Sequence, residues 1–316
     1  MDKLRIALIA GGRSGEREVS LRSGDAVYEA LDRRKYDVSR YDPRDDLIGL
    51  IHDREKIDLA FVLLHGRFGE DGCIQGFLQL LDIPFIGSGV LASAMAIHKK
   101  MSKDLYRLAG LRVAEDAMLT RGEVFSTEGI VASLGNTLVV KPVSEGSSLG
   151  MSICRSPEEL SKGIEEAFRH DSEIMIERFV QGREFTCCVL GNAVLETLPI
   201  VEIIPNPEHP FFDYTAKYTP GASREICPAS ISEDERREME RYAKEAHRVL
   251  RCSVWSRTDM ILQEEKIYIL ETNTIPGMTA TSLVPLAARA AGMSMSDFLD
   301  RLIEISLEGA RKDICH

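Results

Sequence analysis

The first third of the chain alternates apolar run, glycine-rich loop and helical segment, and no other feature narrows the possible folds as far. Leu4 to Ala10 is an unbroken apolar run that ends in GGRSGEREVS, after which Val19, Leu21, Ala26, Val27 and Ala30 begin a helix. Asp58 to Leu64 runs into HGRFGEDG, Ile74 to Leu81 reads as the next helix, and Pro84 to Ile86 is a short strand. Strand, loop and helix in repetition predict an open parallel sheet whose ligands sit at the carboxyl ends of the strands. The first loop is not GxGxxG and lacks the GK[ST] ending of a P-loop, so neither nucleotide fingerprint is met. It provides a turn that brings Glu16 to the top of the first strand.

Beyond residue 87 the pattern changes. Two helical segments span roughly residues 88 to 109, and Thr137 to Lys141 and Glu173 to Phe179 read as strands. Between them, SPEELSKGIEEAFRH offers Ser156 as N-cap, Pro157 at the first helical position and Glu159 to complete a capping box. The last section has strands near 184 to 191 and 194 to 203, then a loop rich in Pro and aromatic residues from 205 to 230. It continues with a capped amphipathic helix from Ser232 to Leu250, two more strands and two helices. His247 lies within that amphipathic helix and is read as structural. A chain of 316 residues is expected to divide into two or three domains. The boundaries read as 1–87, 88–183 and 184–316.

Charge and composition exclude several classes. With 50 acidic against 39 basic side chains, the net charge of -11 argues against a broad nucleic-acid or anionic-membrane surface. There is no apolar run long enough to span a bilayer, and the amino terminus lacks signal-peptide character, so a cytoplasmic protein is expected. The 7 cysteines form no CxxC and read as free or buried thiols in a reducing compartment.

Chemistry concentrates in three later segments. In IYILETNTIPGM (267–278) an apolar strand ends with Glu271 and Asn273 two residues apart, on one face. VWSRTDMIL (254–262) repeats the device with Arg257 and Asp259. If the two strands pair, three oxygen ligands and a guanidinium converge, a set suited to Mg²⁺ and nucleotide phosphates. LVVKPVSEGSSLGM (138–151) delivers Lys141 ahead of a Ser/Gly loop able to cover phosphates. IMIERFVQGREF, a second, acid-bearing strand, offers Glu177 and Glu184 as acceptors for ribose hydroxyls or an adenine amino group.

Taken together, KPVSEGSS, the IERF-to-GREF turn, R-x-D and E-x-N-x-x-PGMT resemble the ATP-grasp superfamily. GGRSGEREVSLRSG, HGRFGEDGCIQG, FFDYTAKY and SLVPLAARAAG are similar to its D-alanine:D-alanine ligase family, over essentially the whole chain and in the family's order. The resemblance implies a three-domain α/β ATP-grasp architecture, with an amino-terminal open parallel sheet and two α+β domains enclosing the nucleotide. It implies ligation of two D-alanines through a D-alanyl phosphate, with release of ADP and phosphate, for peptidoglycan precursors. By matched position, Asp259, Glu271 and Asn273 are implied as ligands of two Mg²⁺ ions, with Mn²⁺ as a substitute. Lys99 and Lys141 are implied to bind phosphate, Glu177 and Glu184 adenosine, and Lys217 the γ-phosphate from a mobile loop.

For the amino acids, the resemblance implies that Glu16 holds the ammonium of the first D-alanine, with Ser147 and Tyr218 as its hydrogen-bonded partners. Arg257 and the Gly277 N–H are implied as oxyanion stabilisers, Ser282 and Leu283 as contacts to the second substrate, and His65 as a neighbour of the substrate carboxylate. A homodimer and no nucleic-acid or membrane partner are also implied. His98 and the pair Trp255-Ser256 depart from the family pattern without replacing a ligand. A D-lactate or D-serine acceptor is disfavoured by Tyr218 in AKY, and a silent nucleotide-binding regulator by the complete ligand set. An enzyme that stops at the acyl phosphate is the third alternative, separable by product analysis with and without an amine.

Overall fold

The computed structural model describes residues 3–146, 149–206 and 223–313, the side chains of 309–313 excepted, and forms three sheets in chain order. The first contains β1 (Leu4–Ile9), β2 (Tyr36–Tyr41), β3 (Leu59–Val62) and β4 (Phe85–Ile86), all parallel, in the order β2-β1-β3-β4. Helices α1 (Arg17–Ala30), α2 (Leu47–Asp53) and α3 (Cys73–Leu80) make the connections. The chain leaves β1 toward one edge and returns to β3 on the other side, so β1 and β3 flank a topological switch point. Their exit loops therefore lie side by side. Ser20 joins them: its Oγ accepts the Gly11 N–H at 2.8 Å and donates to the Leu63 carbonyl at 2.7 Å.

Helices α4 (Val90–Ile97) and α5 (Lys99–Leu108) follow, separated by His98. His98 occupies the N-cap of α5, where its Nδ1 accepts the Met101 N–H at 3.3 Å. At this departure from the family pattern the helix keeps a side-chain N-cap.

The second sheet holds β5 (Asp116–Thr120), β6 (Leu138–Pro142), β7 (Ser152–Cys154) and β8 (Glu173–Arg178), antiparallel in the order β5-β8-β6-β7. Helices α6 (Thr127–Leu134) and α7 (Pro157–His170) cover it. At the start of α7, Ser156 Oγ accepts the Glu159 N–H as expected. The return half of the box differs: the Glu159 carboxylate takes the Arg155 N–H at 2.7 Å, because one more free donor precedes the cap.

In the third sheet are β9 (Arg183–Gly191), β10 (Leu195–Thr197), β11 (Val201–Pro205), β12 (Ser223–Ile226), β13 (Val254–Gln263) and β14 (Lys266–Asn273). Its order is β12-β11-β9-β13-β14, with β10 paired to β9. Helix α8 (Glu233–Val249) carries a complete capping box between Ser232 and Glu235. Helices α9 (Leu283–Ala290) and α10 (Met295–Asp313) end the described chain.

Packing divides these elements unevenly. Ile6, Leu8 and Phe61 of the first sheet share one core with Leu190 and Trp255 of the third and with Phe298 and Leu302 of α10. The other face of the third sheet packs Phe185, Met260 and Ile269 against α8, Ala96 of α4 and Tyr106 of α5. By contrast, the second sheet closes its own small core, Leu138, Val140, Ile164, Ile174 and Ile176 among its members. Trp255 lies in the shared core 6.3 Å from the Phe298 ring, away from any ligand role. His247 is buried, with Nδ1 2.8 Å from Ser256 Oγ, and burial pushes its pKa down to about 4. Structural is the reading that fits it. The described cysteines are free thiols; Cys315 lies outside the described residues.

Candidate active site

A cleft of about 830 Å³ opens between the second and third sheets. Lys99, Lys141, Glu145 and Glu177 line it from one side, and Glu184, Asp259, Ile261, Leu270 and Glu271 from the other. Its floor follows from alternation. Odd-numbered Arg257, Asp259 and Ile261 lie on one face of β13, and Thr258, Met260 and Leu262 turn into the interior.

Strands β13 and β14 pair antiparallel with Asp259 opposite Glu271 and Arg257 opposite Asn273, as the sequence pattern anticipates. One irregularity does not follow from the pattern. The register shifts between Asp259 and Met260, which pair with Glu271 and Ile269, so Leu270 is an extra residue. Such a bulge re-aims side chains, and here Leu270 and Glu271 both face the cleft.

Asp259 gathers the local donors. Arg257 grips it with two bonds, Nε to Oδ1 at 2.9 Å and Nη2 to Oδ2 at 2.8 Å. Thr186 Oγ1 donates to Oδ1 at 2.6 Å, and Asn273 Nδ2 approaches Oδ2 at 3.4 Å. On the interior face, Tyr106 Oη donates to Thr272 Oγ1 at 2.8 Å, and Thr272 Oγ1 lies 3.0 Å from Thr258 Oγ1. Each threonine sits between two cleft-facing residues, so this buried relay fixes both strands from behind.

At the far end of the cleft the loops after β1 and β3 meet the Ser/Gly loop of the second sheet. Glu16 is the N-cap residue of α1 and is 5% exposed. A Cβ on Gly146 would lie 2.5 Å from Glu16 Oε2, and one on Gly66, at φ +68°, would lie 2.9 Å from it. Only glycine permits both loops to approach the carboxylate this closely. Lys99 Nζ donates to the Glu145 carbonyl, holding the same loop from beneath.

His65 follows β3, buried, with Nε2 3.5 Å from Ser23 Oγ, which also accepts the Met278 N–H at 3.3 Å. Burial, assisted by the Arg257 charge, lowers its pKa to about 4, so it is a neutral ring at pH 7. Ser282 Oγ accepts the Thr279 N–H at 3.0 Å and lies 3.1 Å from a Cβ built on Gly277. The Leu283 side chain belongs to the shared core, which leaves its backbone, not its side chain, for contact with a ligand. Ser147, Lys217 and Tyr218 lie outside the described residues.

Two ionisable groups beside these residues escaped the sequence reading. Glu70, in HGRFGEDG, accepts the Gly66 N–H at 2.7 Å. Desolvation and the nearby charge of Glu16, with a smaller push from Glu271, raise its carboxyl to about 8. Lys103 is 1% exposed and donates to Glu177 Oε2 at 2.5 Å, while Lys141 reaches Glu177 Oε1 at 2.5 Å. Glu177, which also lines the cleft, therefore stands between two lysines, one on each carboxylate oxygen.

The donor set fits a hard divalent cation. Asp259, Glu271 and Asn273 offer two carboxylates and an amide. Among the described residues no group of three or more His, Cys, Asp or Glu is placed to hold a metal ion. Two carboxylates that need phosphate oxygens and water to complete a shell suit Mg²⁺ better than a transition metal.

Lys141 of a small antiparallel sheet and Lys99 of α5, facing carboxylates of a larger sheet across a nucleotide-sized cleft, define the ATP-grasp class of fold. Models described as the D-ala D-ala ligase N-terminus and C-terminus match residues 5–48 with 44–88 and residues 105–304, respectively. The chain belongs to the D-alanine–D-alanine ligase family. It is 54% identical over 307 residues to the D-alanine–D-alanine ligase of Syntrophobacter fumaroxidans, covering 97% of this chain and 99% of that one. The enzyme of Desulfotalea psychrophila is 52% identical, with 98% and 97% covered. Among solved structures, D-alanine–D-alanine ligase from Bacillus anthracis complexed with ATP superposes with a TM-score of 0.86 at 32% identity, covering 98% of this chain and 99% of that one.

Proposed function

We propose that this protein joins two molecules of D-alanine at the expense of ATP, through a D-alanyl phosphate. The observation that carries the reading is the convergence of Lys99, Lys141, Glu184, Asp259 and Glu271 around one cleft, in a chain that matches its relatives over nearly their whole length.

A carboxylate does not react with an amine at neutral pH, so the γ-phosphoryl of ATP first converts it to an acyl phosphate. Glu16 holds the ammonium of the first D-alanine in a pocket that excludes water. Lys99 and Lys141 bind the phosphates, and Glu184 with Leu270 meets the nucleoside. Mg²⁺ held by Asp259, Glu271 and Asn273 supplies charge neutralisation of the phosphates, and two ions are proposed, with Mn²⁺ able to substitute. Arg257, released in part from Asp259, and the Gly277 N–H receive the oxyanion as the second amine attacks. Removing one such donor typically costs on the order of 10² to 10³ in rate. His65, kept neutral, leaves the substrate carboxylate to Arg257 and Ser282. ADP and phosphate depart, and the dipeptide serves peptidoglycan precursor synthesis.

The remaining parts of the reading are a division at residues 87/88 and 183/184, a homodimer, and a cytoplasmic place of action. No described helix is long and apolar enough to cross a membrane. Ser147, Lys217 and Tyr218 enter as the partner of Glu16 and the closing loop, by matched position alone.

The test is incubation with ATP, Mg²⁺ and either D-alanine or L-alanine, followed by mass detection of dipeptide and nucleotide. ADP, phosphate and D-alanyl-D-alanine are expected, with L-alanine inert. AMP and pyrophosphate as products would rule out the acyl-phosphate route.

A further inference from the structure

Lys141 is required in two places. Its ammonium lies 2.5 Å from Glu177 Oε1, yet the same residue lines the cleft in which phosphate is to be bound. Glu177 is 5% exposed, so a lysine that left it would strand a carboxylate away from water, and a stranded buried charge is strongly unfavourable. The structure contains the remedy. Lys103 contacts the other oxygen of Glu177 from inside the protein and is itself held by Asp116 Oδ1 at 3.4 Å. Asp116, whose side chain is fully buried, is also met by Arg107 and by Lys100. Lys103 does not line the cleft and has no path to a phosphate; it is the stationary cation of the pair.

We propose that Lys103 is a positioning residue for nucleotide binding: it keeps Glu177 compensated while Lys141 transfers from that carboxylate to an ATP phosphate. The inference rests on the nucleotide-binding reading given above. Electrostatics within the cluster favour the exchange. Burial, with the Lys141 charge adding to it, lowers the Lys103 pKa to about 8 against the pull of Glu177. Withdrawal of Lys141 removes that repulsion, so Lys103 becomes a firmer counter-ion when it is needed. Burial alone would raise the Glu177 carboxyl, but the two lysines outweigh it and hold it near about 2. The carboxylate stays ionised throughout.

The experiment is calorimetric binding of Mg²⁺ with a non-hydrolysable ATP analogue to wild type, K103M, E177Q and K103M/E177Q. In K103M, Lys141 is the only cation left on Glu177, and analogue binding is expected to weaken roughly tenfold or more, as for loss of a buried charge partner. The kcat at saturating ATP is expected to change much less, which gives a KM effect without a matching kcat effect. E177Q removes the charge that has to be compensated, so K103M/E177Q is expected to bind as tightly as E177Q alone. Wild-type affinity in K103M overturns the proposal, and so does a double variant as weak as K103M, since that marks a packing defect. If K103M does not fold, E177Q against K103M/E177Q decides: equal affinities support the proposal and a weaker double variant overturns it. A wild type that binds no nucleotide at all refutes the ligase reading instead.

Discussion

The second sheet and the other two are built on different principles, although all three meet at one cleft. The first and third sheets share a core that runs from Ile6 and Leu8 through Trp255 to Phe298, so they form one body held by dispersion and apolar burial. The second sheet has a core of its own. Its ties to the rest include the short cluster of Ala114, Val180 and Tyr268, and the ion pair that Lys103 of α5 makes with Glu177. Apolar contacts lose free energy steeply with small gaps, whereas ionic contacts exchange partners at little cost when a second partner is at hand. The difference points to a rigid floor that carries the chemistry and a separate cover that carries the nucleotide. Helix α5 joins them, with Lys99 and Lys103 toward the cover and Tyr106 toward the floor.

The largest effects are expected from the cores. Phe298→Ala removes a fully buried ring from the shared core and is expected to cost about 3–5 kcal/mol; Ile176→Ala in β8 is expected to cost about 2–5 kcal/mol. Hydrogen exchange distinguishes their reach. Phe298→Ala is expected to reduce protection in the first and third sheets together, and Ile176→Ala only in residues 116–178. Equal loss everywhere in both variants would show that the cover is not an independent unit.

Next comes the floor's role in catalysis. Glu271→Gln keeps shape and removes a charge opposite Asp259, so turnover is expected to fall on the order of 10² to 10³ with the melting temperature unchanged. Analogue affinity is expected to change less than it does in K103M. Wild-type turnover at limiting Mg²⁺ would remove Glu271 from the site, and with it the division of labour between floor and cover.

The floor should also show a pH dependence that the cover does not impose. Glu70 has its carboxyl raised from the ordinary 4.5 to about 8 by desolvation and by Glu16, with Glu271 adding to the push and Arg257 and the Gly66 N–H opposing it. The folded protein therefore keeps this proton over a range in which the unfolded chain has released it. Stability is expected to fall as pH rises from about 4.5 to about 8 and to level off above, where both states are ionised. Glu70→Gln is expected to flatten that decline, so that the variant gains on wild type toward high pH. Urea midpoints from pH 5 to pH 9 without added metal make the measurement, and parallel curves would assign the decline to other groups.

Much of the floor was legible in the sequence because alternation carries the information. Arg257, Asp259, Glu271 and Asn273 each fall two residues from a partner, and a strand turns that spacing into one face. Leu270 was not legible as a bulge, since one unpaired residue leaves no trace in the pattern of apolar residues. The cover hid its essentials differently. Lys103 lies four residues after Lys99 in a segment with three lysines and one aspartate, which reads as a solvated face; only Tyr106 a further turn on marks the stripe as buried. The two lysines that flank Glu177 were hidden because both are distant from it in sequence. Nothing in HGRFGEDG sets Glu70 apart from Asp71 beside it, and its proximity to Glu16 depends on the strand order that brings the loops after β1 and β3 together.

The smallest effect tests the joint. Tyr106→Phe keeps the buried ring and deletes the hydroxyl that donates to Thr272. Thr272 retains Thr258 at 3.0 Å, so no oxygen is left without a partner, and the loss is expected to be about 0.5–1.5 kcal/mol. Because Thr272 lies between Glu271 and Asn273, and Thr258 between Arg257 and Asp259, the consequence should extend beyond stability. Freed from α5, β14 can shift against β13, and the concentration of Mg²⁺ that gives half-maximal turnover is expected to rise a few-fold, while analogue binding without metal stays as in wild type. Thr258→Val is expected to act in the same direction and to add little to Tyr106→Phe, since both interrupt one relay. Fully additive effects on the Mg²⁺ requirement would mean that the threonines serve only the packing of the floor, and that α5 joins the two bodies through its lysines alone.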